Sequence, residues 1–377
     1  MSNLDKLFHP FVASDAKANW TSWTSPRMGF FNDDSIIPNV QFGAGFLVAK
    51  KIGYMDIPHI HDGSDSFFIF TGAELDNIFE AEFQVDFFIG DSAKSMEVYS
   101  ITKPSFVRVP AGAWHCPIYY KKVVRGLNNM LWYSGVSTGR VYPVDNHDFS
   151  SEEIFYEKDN WVQPCKKDET KLCTYCGLCF DQTEQSANDF VAPFFTHAST
   201  EGKYKDCIME LRKDYHTLGD AVMSPRAVFK GCEDMPKADR QVSFNIVTKP
   251  CKLGDDEPVN NGQIAEFLWF SGADSVDPWG SFDAEIEVMV GDDPDNMQKL
   301  TFNKPGVVAV PPGTWRGAVN ITKAGKPVCF MPWYPHTKPR YKITQKIIDG
   351  KKVRVYDDEA SITEPTAGDE LYMQIKR

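Results

Sequence analysis

The stretch from Pro58 to Gly72 reads PHIHDGSDSFFIFTG, two histidines one residue apart followed by a run of Phe and Ile that ends in glycine. In a β-strand, residues i and i+2 project from the same face. His59 and His61 can therefore turn both imidazoles toward one ion. Asp65 follows at a spacing that can bring a carboxylate back toward it. About forty residues on, KPSFVRVPAGAWH (residues 103–115) supplies His115 just after a Pro-Gly turn that opens another strand. Two histidines from one strand, one from a second and a carboxylate form a mixed nitrogen and oxygen metal site.

The same signals recur in the second half of the chain. FLWFSG (267–272) echoes FFIFTG (67–72), the pairs Ala81-Glu82 and Ala284-Glu285 follow at similar spacing, and KPGVVAVPPGTWR (304–316) echoes KPSFVRVPAGAWH. Within each copy the runs are short, rich in Val, Ile, Phe and Tyr, alternate with period two and break at Gly, Pro, Asn and Asp, which is the pattern of antiparallel sheets. In EAEFQVDFF (80–88), Glu80, Glu82, Gln84 and Asp86 share one face, and Ala81, Phe83, Val85 and Phe87 the other. The second copy lacks the ligands: Val259 stands opposite His59, Asn261 opposite His61, Ala265 opposite Asp65 and Arg316 opposite His115. The second unit is expected to have lost its metal and to serve packing, dimerisation or lid functions.

These residues resemble the two motifs of the cupin superfamily, His-x-His with a nearby carboxylate and then Gly, followed by Pro-x-Gly-x-x-His. Here they read His59, His61, Asp65 and Gly72, then Pro110, Gly112 and His115, with Asp where Glu is usual. The resemblance implies an all-β chain of two tandem cupin barrels, the metal site lying inside the first. It also implies a divalent ion such as manganese, iron or zinc. Glu82 is an alternative to Asp65 as fourth ligand, or a base beside the ion. Predicted boundaries are 1–147 for the first barrel, 148–215 for a cysteine-rich connector and 216–377 for the second barrel.

The connector reads PCKKDETKLCTYCGLCF (164–180), with Cys165, Cys173, Cys176 and Cys179. Two overlapping Cys-x-x-Cys units and a fourth cysteine suit tetrahedral thiolate coordination by a structural zinc. An iron–sulfur cluster and free thiols are the rival readings, although the cysteine and proline that ferredoxin spacing would place after Cys179 are absent. Cys116, Cys207, Cys232, Cys251 and Cys329 are read as ordinary buried or half-buried thiols. SSEEIFYEKDNW (150–161) starts with a cap and is a candidate short helix.

Composition bounds the remainder. The 377 residues include 27 Phe, 14 Tyr and 9 Trp, enough for two cores, and carry a net charge of −12, which disfavours nucleic acid or an anionic membrane as partner. No run approaches the roughly 18 apolar residues of a spanning helix, and the opening MSNLDKLFHP lacks a secretory apolar core. The expectation is a cytoplasmic protein, homodimeric through exposed strand edges. The resemblance extends to cupins frequent in anaerobes, which implies hydrolytic C–C cleavage of a linear or cyclic 1,3-diketone, including phenol-derived rings. Glu82 or Asp65 would then be the general base, with Arg108 and Tyr119 at the mouth of the site. An iron-dependent dioxygenase, a sugar isomerase and a non-catalytic sensor are the alternatives on the same ligands.

Overall fold

The computed structural model describes residues 6–11, 23–25, 28–32, 35–40, 42–133, 138–141, 181–238, 240–254, 257–262, 264–335 and 343–356. The four connector cysteines and the candidate helix at 150–161 lie outside them. The chain forms two compact units, one of Val12–Phe31 and Gln41–Leu211, the other of Met1–Phe11, Asn32–Val40 and Arg212–Arg377.

Two antiparallel sheets close the first unit. One runs Thr138–Val141, His59–Asp62, Trp114–Val123, Phe83–Gly90 and Glu97–Ile101, with Gly53–Met55 also paired to Trp114–Val123. The other runs Ile208–Glu210, Ser105–Val109, Ser66–Gly72, Leu127–Tyr133, Gly43–Ala49 and Met28–Phe31. Alternation decides what lies between them. Phe68, Phe70, Phe83, Val85, Phe87, Ile89, Val107, Val109, Ile118 and Tyr120 interlock as one buried cluster. Their odd or even neighbours Phe67, Phe106 and Trp132 stack on the outer face, at centroid separations of 5.6 and 6.2 Å. Both faces of the Ser66–Gly72 strand are therefore buried, which explains a near-continuous hydrophobic run.

The second unit repeats the plan. Its sheets run Phe8–Pro10, Gly306–Val310, Glu266–Gly272, Val328–Tyr334, Gln241–Val247, Arg226–Phe229 and Arg212–Asp214, and Gln298–Phe302, Ala284–Gly291, Trp315–Ala324, Val259–Asn260, Ile343–Ile348 and Lys351–Tyr356. The duplication reaches single contacts. A Cβ on Gly72 would overlap Ala81, and one on Gly272 would overlap Ser281, so each motif glycine marks the same close approach of two segments.

The helix Glu184–Thr196 was not foreseen. Thr183 caps it, accepting from Ser186 N at 3.1 Å while Ser186 Oγ accepts from Thr183 N at 2.9 Å. Its Ala187, Val191 and Phe194 recur at helical spacing and pack on the outer face of the histidine-bearing sheet, with Tyr54, Ile57, Ile60, Phe88, Trp114 and Tyr119. Just before it, the fully buried Gln182 brackets Tyr54, donating to Tyr54 O and accepting from Tyr54 N, both at 2.8 Å. Glu97, also buried, accepts from the backbone N–H groups of Lys203 (2.8 Å) and Tyr204 (3.1 Å) and pins the segment after the helix to the barrel. Among the described residues no helix is long and apolar enough to cross a membrane.

Candidate metal centre

His59 and His61 sit on one face of the His59–Asp62 strand, and backbone pairing places His115 directly opposite His59. The three rings converge, with centroids 4.2 Å apart for His59 and His115, 5.0 Å for His59 and His61, and 5.3 Å for His61 and His115. One nitrogen from each lies within 4.8 Å of the other two, and all three residues are buried. Backbone carbonyls set the tautomers. His59 Nδ1 lies 2.7 Å from Ile57 O, and His115 Nδ1 lies 3.3 Å from Ala113 O. A ring that donates from Nδ1 keeps the Nε2 lone pair for a metal.

His115 Nε2 is buried without a hydrogen-bond partner. An orphaned nitrogen deep in a core costs about 1–3 kcal/mol, and an ion held by the three imidazoles would satisfy it. The residues present therefore fit a divalent metal. Burial, then the neighbouring His59, lowers His61 to about 3, and burial followed by His59 and His61 takes His115 well below its ordinary value. Both rings are neutral ligands at physiological pH.

That depression sets a pH dependence. The unfolded chain protonates these histidines near pH ~6.5, whereas the fold resists until far lower pH. As pH falls below ~6.5 the unfolded state binds more protons, so stability is full above that value and declines beneath it. The expected slope for metal-free protein is about 1.4 kcal/mol per pH unit for each such ring. Urea unfolding of chelator-treated protein between about pH 7 and about pH 5 checks it; a flat profile would place the proton on the folded rings.

The other residues expected at the ion are placed elsewhere. Asp65 shares parity with the outward Phe67, so its carboxylate meets Arg108 on the outer side, accepting from Nε at 2.6 Å and from Ala111 N at 2.8 Å. Arg108 likewise alternates with the inward Val107 and Val109. Glu82 is 68% exposed and ion-paired with Lys122 at 2.8 Å, because Phe83, Val85 and Phe87 take the inward positions of that strand. Tyr119 lies under the helix and donates to Asn188 Oδ1. None of the four belongs to the imidazole group.

Asp65 is tied to the centre through the Pro110–Ala113 turn, whose Ala111 N donates to it. That turn donates Gly112 N to His61 O at 2.8 Å and offers Ala113 O to the His115 ring. If a divalent ion occupies the three-histidine group, Asp65→Ala is expected to weaken its binding about 10- to 100-fold, the range for residues that orient ligands, without abolishing it. Calorimetric titration checks this; complete loss would restore Asp65 as a direct ligand.

Two residues near the centre carried no sequence signal. Asp56 and Cys116 form with His59 a second group whose ligand atoms lie within 4.8 Å of one another. Both are buried, and both have left-handed backbone, φ 66° and 69°. A bulge produces the arrangement. The ladder jumps from Ile118 opposite Met55 to His115 opposite His59. Asp56, Ile57 and Pro58 thus face Cys116 and Pro117 across a break in pairing, and His115 and Cys116, though consecutive, both face the interior. Burial, and then Asp56, raise the Cys116 thiol far above its ordinary value. Nearby, Tyr120 Oη accepts from Asn129 Nδ2 at 2.7 Å, while Asn129 Oδ1 is buried without a partner. Among the other described cysteines, Cys232 is exposed rather than buried.

The second barrel shows what replaces the centre. Arg316 pairs with Val259 and Val290 as His115 pairs with His59 and Ile89, so the register sets Arg316 in the His115 position. Glu266, in register with Ser66, reaches inward and receives Arg316 Nε at 2.6 Å, Arg316 Nη2 at 3.0 Å and Tyr334 Oη at 2.7 Å. A salt bridge fills the place of the ion.

Solved structures share the two-barrel plan. An oxalate decarboxylase–formate complex from Lactobacillus farciminis aligns over 100% of this chain and 95% of its own, with a TM-score of 0.51 and 12% identity. A mutant of the Bacillus subtilis oxalate decarboxylase aligns over 97% and 84%, with a TM-score of 0.50 and 12% identity. Vicilin from Solanum lycopersicum aligns over 99% and 97%, with a TM-score of 0.52 and 11% identity. No protein-family model and no curated protein matches the chain. At such identities the likeness gives the fold, which is that of a bicupin.

Proposed function

From the bicupin fold and its three buried imidazoles, we propose that the first barrel is the catalytic centre of a metal-dependent enzyme acting on a small oxygenated substrate. The observation that carries this reading is the orphaned His115 Nε2, converging with His59 and His61 and with no carboxylate completing their group among the described residues. Three protein ligands leave open positions for substrate or water, as catalytic rather than structural sites do. A divalent ion bound there supplies Lewis acidity toward adjacent or 1,3-related oxygens.

The chain's own residues provide the setting. Phe68, whose ring centroid is 5.9 Å from that of His115, puts apolar surface against the centre and is itself backed by Phe70 and Phe87, a setting that would exclude bulk water. The finer reading is C–C cleavage, a reaction class supported by fold neighbours that are decarboxylases. Its specific form is hydrolysis of a 1,3-diketone: water adds to one carbonyl carbon, the bond to the central carbon breaks, and that carbon takes a proton.

The test is metal analysis of protein purified without air, alongside the His59→Ala/His61→Ala double variant, followed by assays on 1,3-diketones and on oxalate with and without oxygen. One ion lost with the histidines, and diketone consumed without oxygen into a ketone and a carboxylate, supports the full reading. Carbon dioxide release from oxalate makes the enzyme a lyase, and oxygen-dependent turnover makes it a dioxygenase. Full metal content in the double variant defeats the catalytic reading.

A further inference from the structure

The geometry points to a second metal subsite in the first barrel, formed by Asp56, His59 and Cys116, which takes a thiophilic divalent ion of the zinc class and competes with the three-histidine group for His59. The three side chains offer one oxygen, one nitrogen and one sulfur, a donor set that suits zinc and cobalt and is poorly matched to manganese. Their ligand atoms already lie within 4.8 Å of one another. Tetrahedral zinc, bonded at ~2.0–2.3 Å, needs ligand atoms roughly 3.3–3.8 Å apart, so rotamer adjustments of a fraction of an ångström to about 1 Å close the site.

His59 is the shared element. Its Nδ1 lies 4.0 Å from Asp56 Oδ1 and donates to Ile57 O, so its Nε2 is the nitrogen left for His61 and His115. Turning Nδ1 to a second ion surrenders that hydrogen bond and moves the proton to Nε2, which removes His59 from the other group. One neutral imidazole serves one ion at a time, and the two sites exclude each other.

Backbone conformation argues that the side chains matter. Asp56 and Cys116 hold φ values that glycine adopts without cost, and strain of this kind clusters where a side chain is needed in place. Gly112 and Gly63, at φ 78° and 91°, show glycine taking such positions elsewhere in this barrel. The pairing break that creates both conformations is also what sets Asp56 against Cys116.

Cobalt(II) loading of the full chain tests the subsite, because thiolate ligation gives a near-ultraviolet charge-transfer band that histidine ligation lacks. The difference spectrum between wild type and Cys116→Gly cancels whatever the connector cysteines bind, and glycine suits the left-handed backbone, so the variant keeps the fold. The expected result is loss of one thiolate's intensity in Cys116→Gly with cobalt content retained at the histidines, and at least a 10-fold weaker band-forming affinity in Asp56→Gly. His61→Ala, which cripples only the three-histidine group, is expected to strengthen the band. An identical band in wild type and Cys116→Gly overturns the subsite. Cobalt lost in His115→Leu, which leaves Asp56, His59 and Cys116 in place, by contrast reports on the three-histidine group alone.

Discussion

Replacing His115 with leucine is expected to leave metal-free protein at least as stable as the wild type, while removing nearly all the stabilisation that a divalent ion confers. His115 is fully buried, its Nε2 has no partner, and its Nδ1 makes a single 3.3 Å contact with Ala113 O. Leucine gives up that one weak hydrogen bond, a net term of about 0.5–1.5 kcal/mol, and relieves an unsatisfied buried nitrogen that costs about 1–3 kcal/mol. It also places apolar volume against Phe68, with which His115 already makes a ring contact. The metal-dependent term moves the other way. An ion at 100 times its Kd stabilises the wild type by about 2.7 kcal/mol, and at 1,000 times by about 4.1 kcal/mol. For a domain of this size that corresponds to a rise in Tm of roughly 5–16 °C.

With only His59 and His61 left, the fall in affinity must exceed the roughly 10- to 100-fold cost of disturbing a residue that merely orients a ligand. Calorimetric scans with and without manganese(II) read both effects at once, because manganese prefers nitrogen and oxygen ligands to thiols. A metal-induced shift that survives in His115→Leu would mean the ion sits on other groups. A large loss of stability in the metal-free variant would mean that the imidazole is structural.

Much of this was legible in the chain. Repeats, alternation and the spacing of His59, His61 and His115 carry the fold and the imidazole group, because a strand's period of two converts sequence directly into facing. The same rule, applied to Asp65 and Glu82, would have excluded them. Asp65 has the parity of Phe67, and Glu82 is out of phase with Phe83, Val85 and Phe87, so both carboxylates point away from the rings. Parity also marks Glu266 as inward, in phase with Leu268 and Phe270, although the repeat alignment sets Ala265, not Glu266, opposite Asp65.

Other features had no local signal. Asp56 and Cys116 meet only because a bulge breaks the alternation on which sequence reading depends. Phe8–Pro10, at the start of the chain, pairs with Gly306–Val310 in the second unit, a long-range choice that neighbouring residues do not encode. The helix Glu184–Thr196 was readable from Thr183 and the Ala187, Val191 and Phe194 stripe, but its Thr183–Ser186 cap lacks the Glu or Gln that usually completes that signature.

Glu266→Ala in the second barrel is expected to cost about 3–5 kcal/mol, the price of leaving one partner of a buried ion pair uncompensated. Glu266 is fully buried and takes four hydrogen bonds, two from Arg316, one from Tyr334 and a longer one, 3.3 Å, from Asn261 Nδ2. Truncation strands a guanidinium whose side chain is only 16% exposed, together with the half-buried Tyr334 phenol. Removing the whole cluster is a different experiment. A Glu266→Leu/Arg316→Met/Tyr334→Phe triple variant removes the ion pair and the phenol together, leaving only the half-buried Asn261 amide to turn to water, and is expected to match the wild type or exceed it by about 1–4 kcal/mol, since well-packed apolar replacements of buried ion pairs behave in that way. Denaturant unfolding of the single, double and triple variants gives the coupling energies directly. If Glu266→Ala costs less than about 1 kcal/mol, the cluster is open to water and an anion could reach Arg316. If the single variant is severe and the triple is not, the salt bridge is an internal plug: where the first barrel brings three imidazoles together, the second fills the corresponding space with charges that satisfy one another.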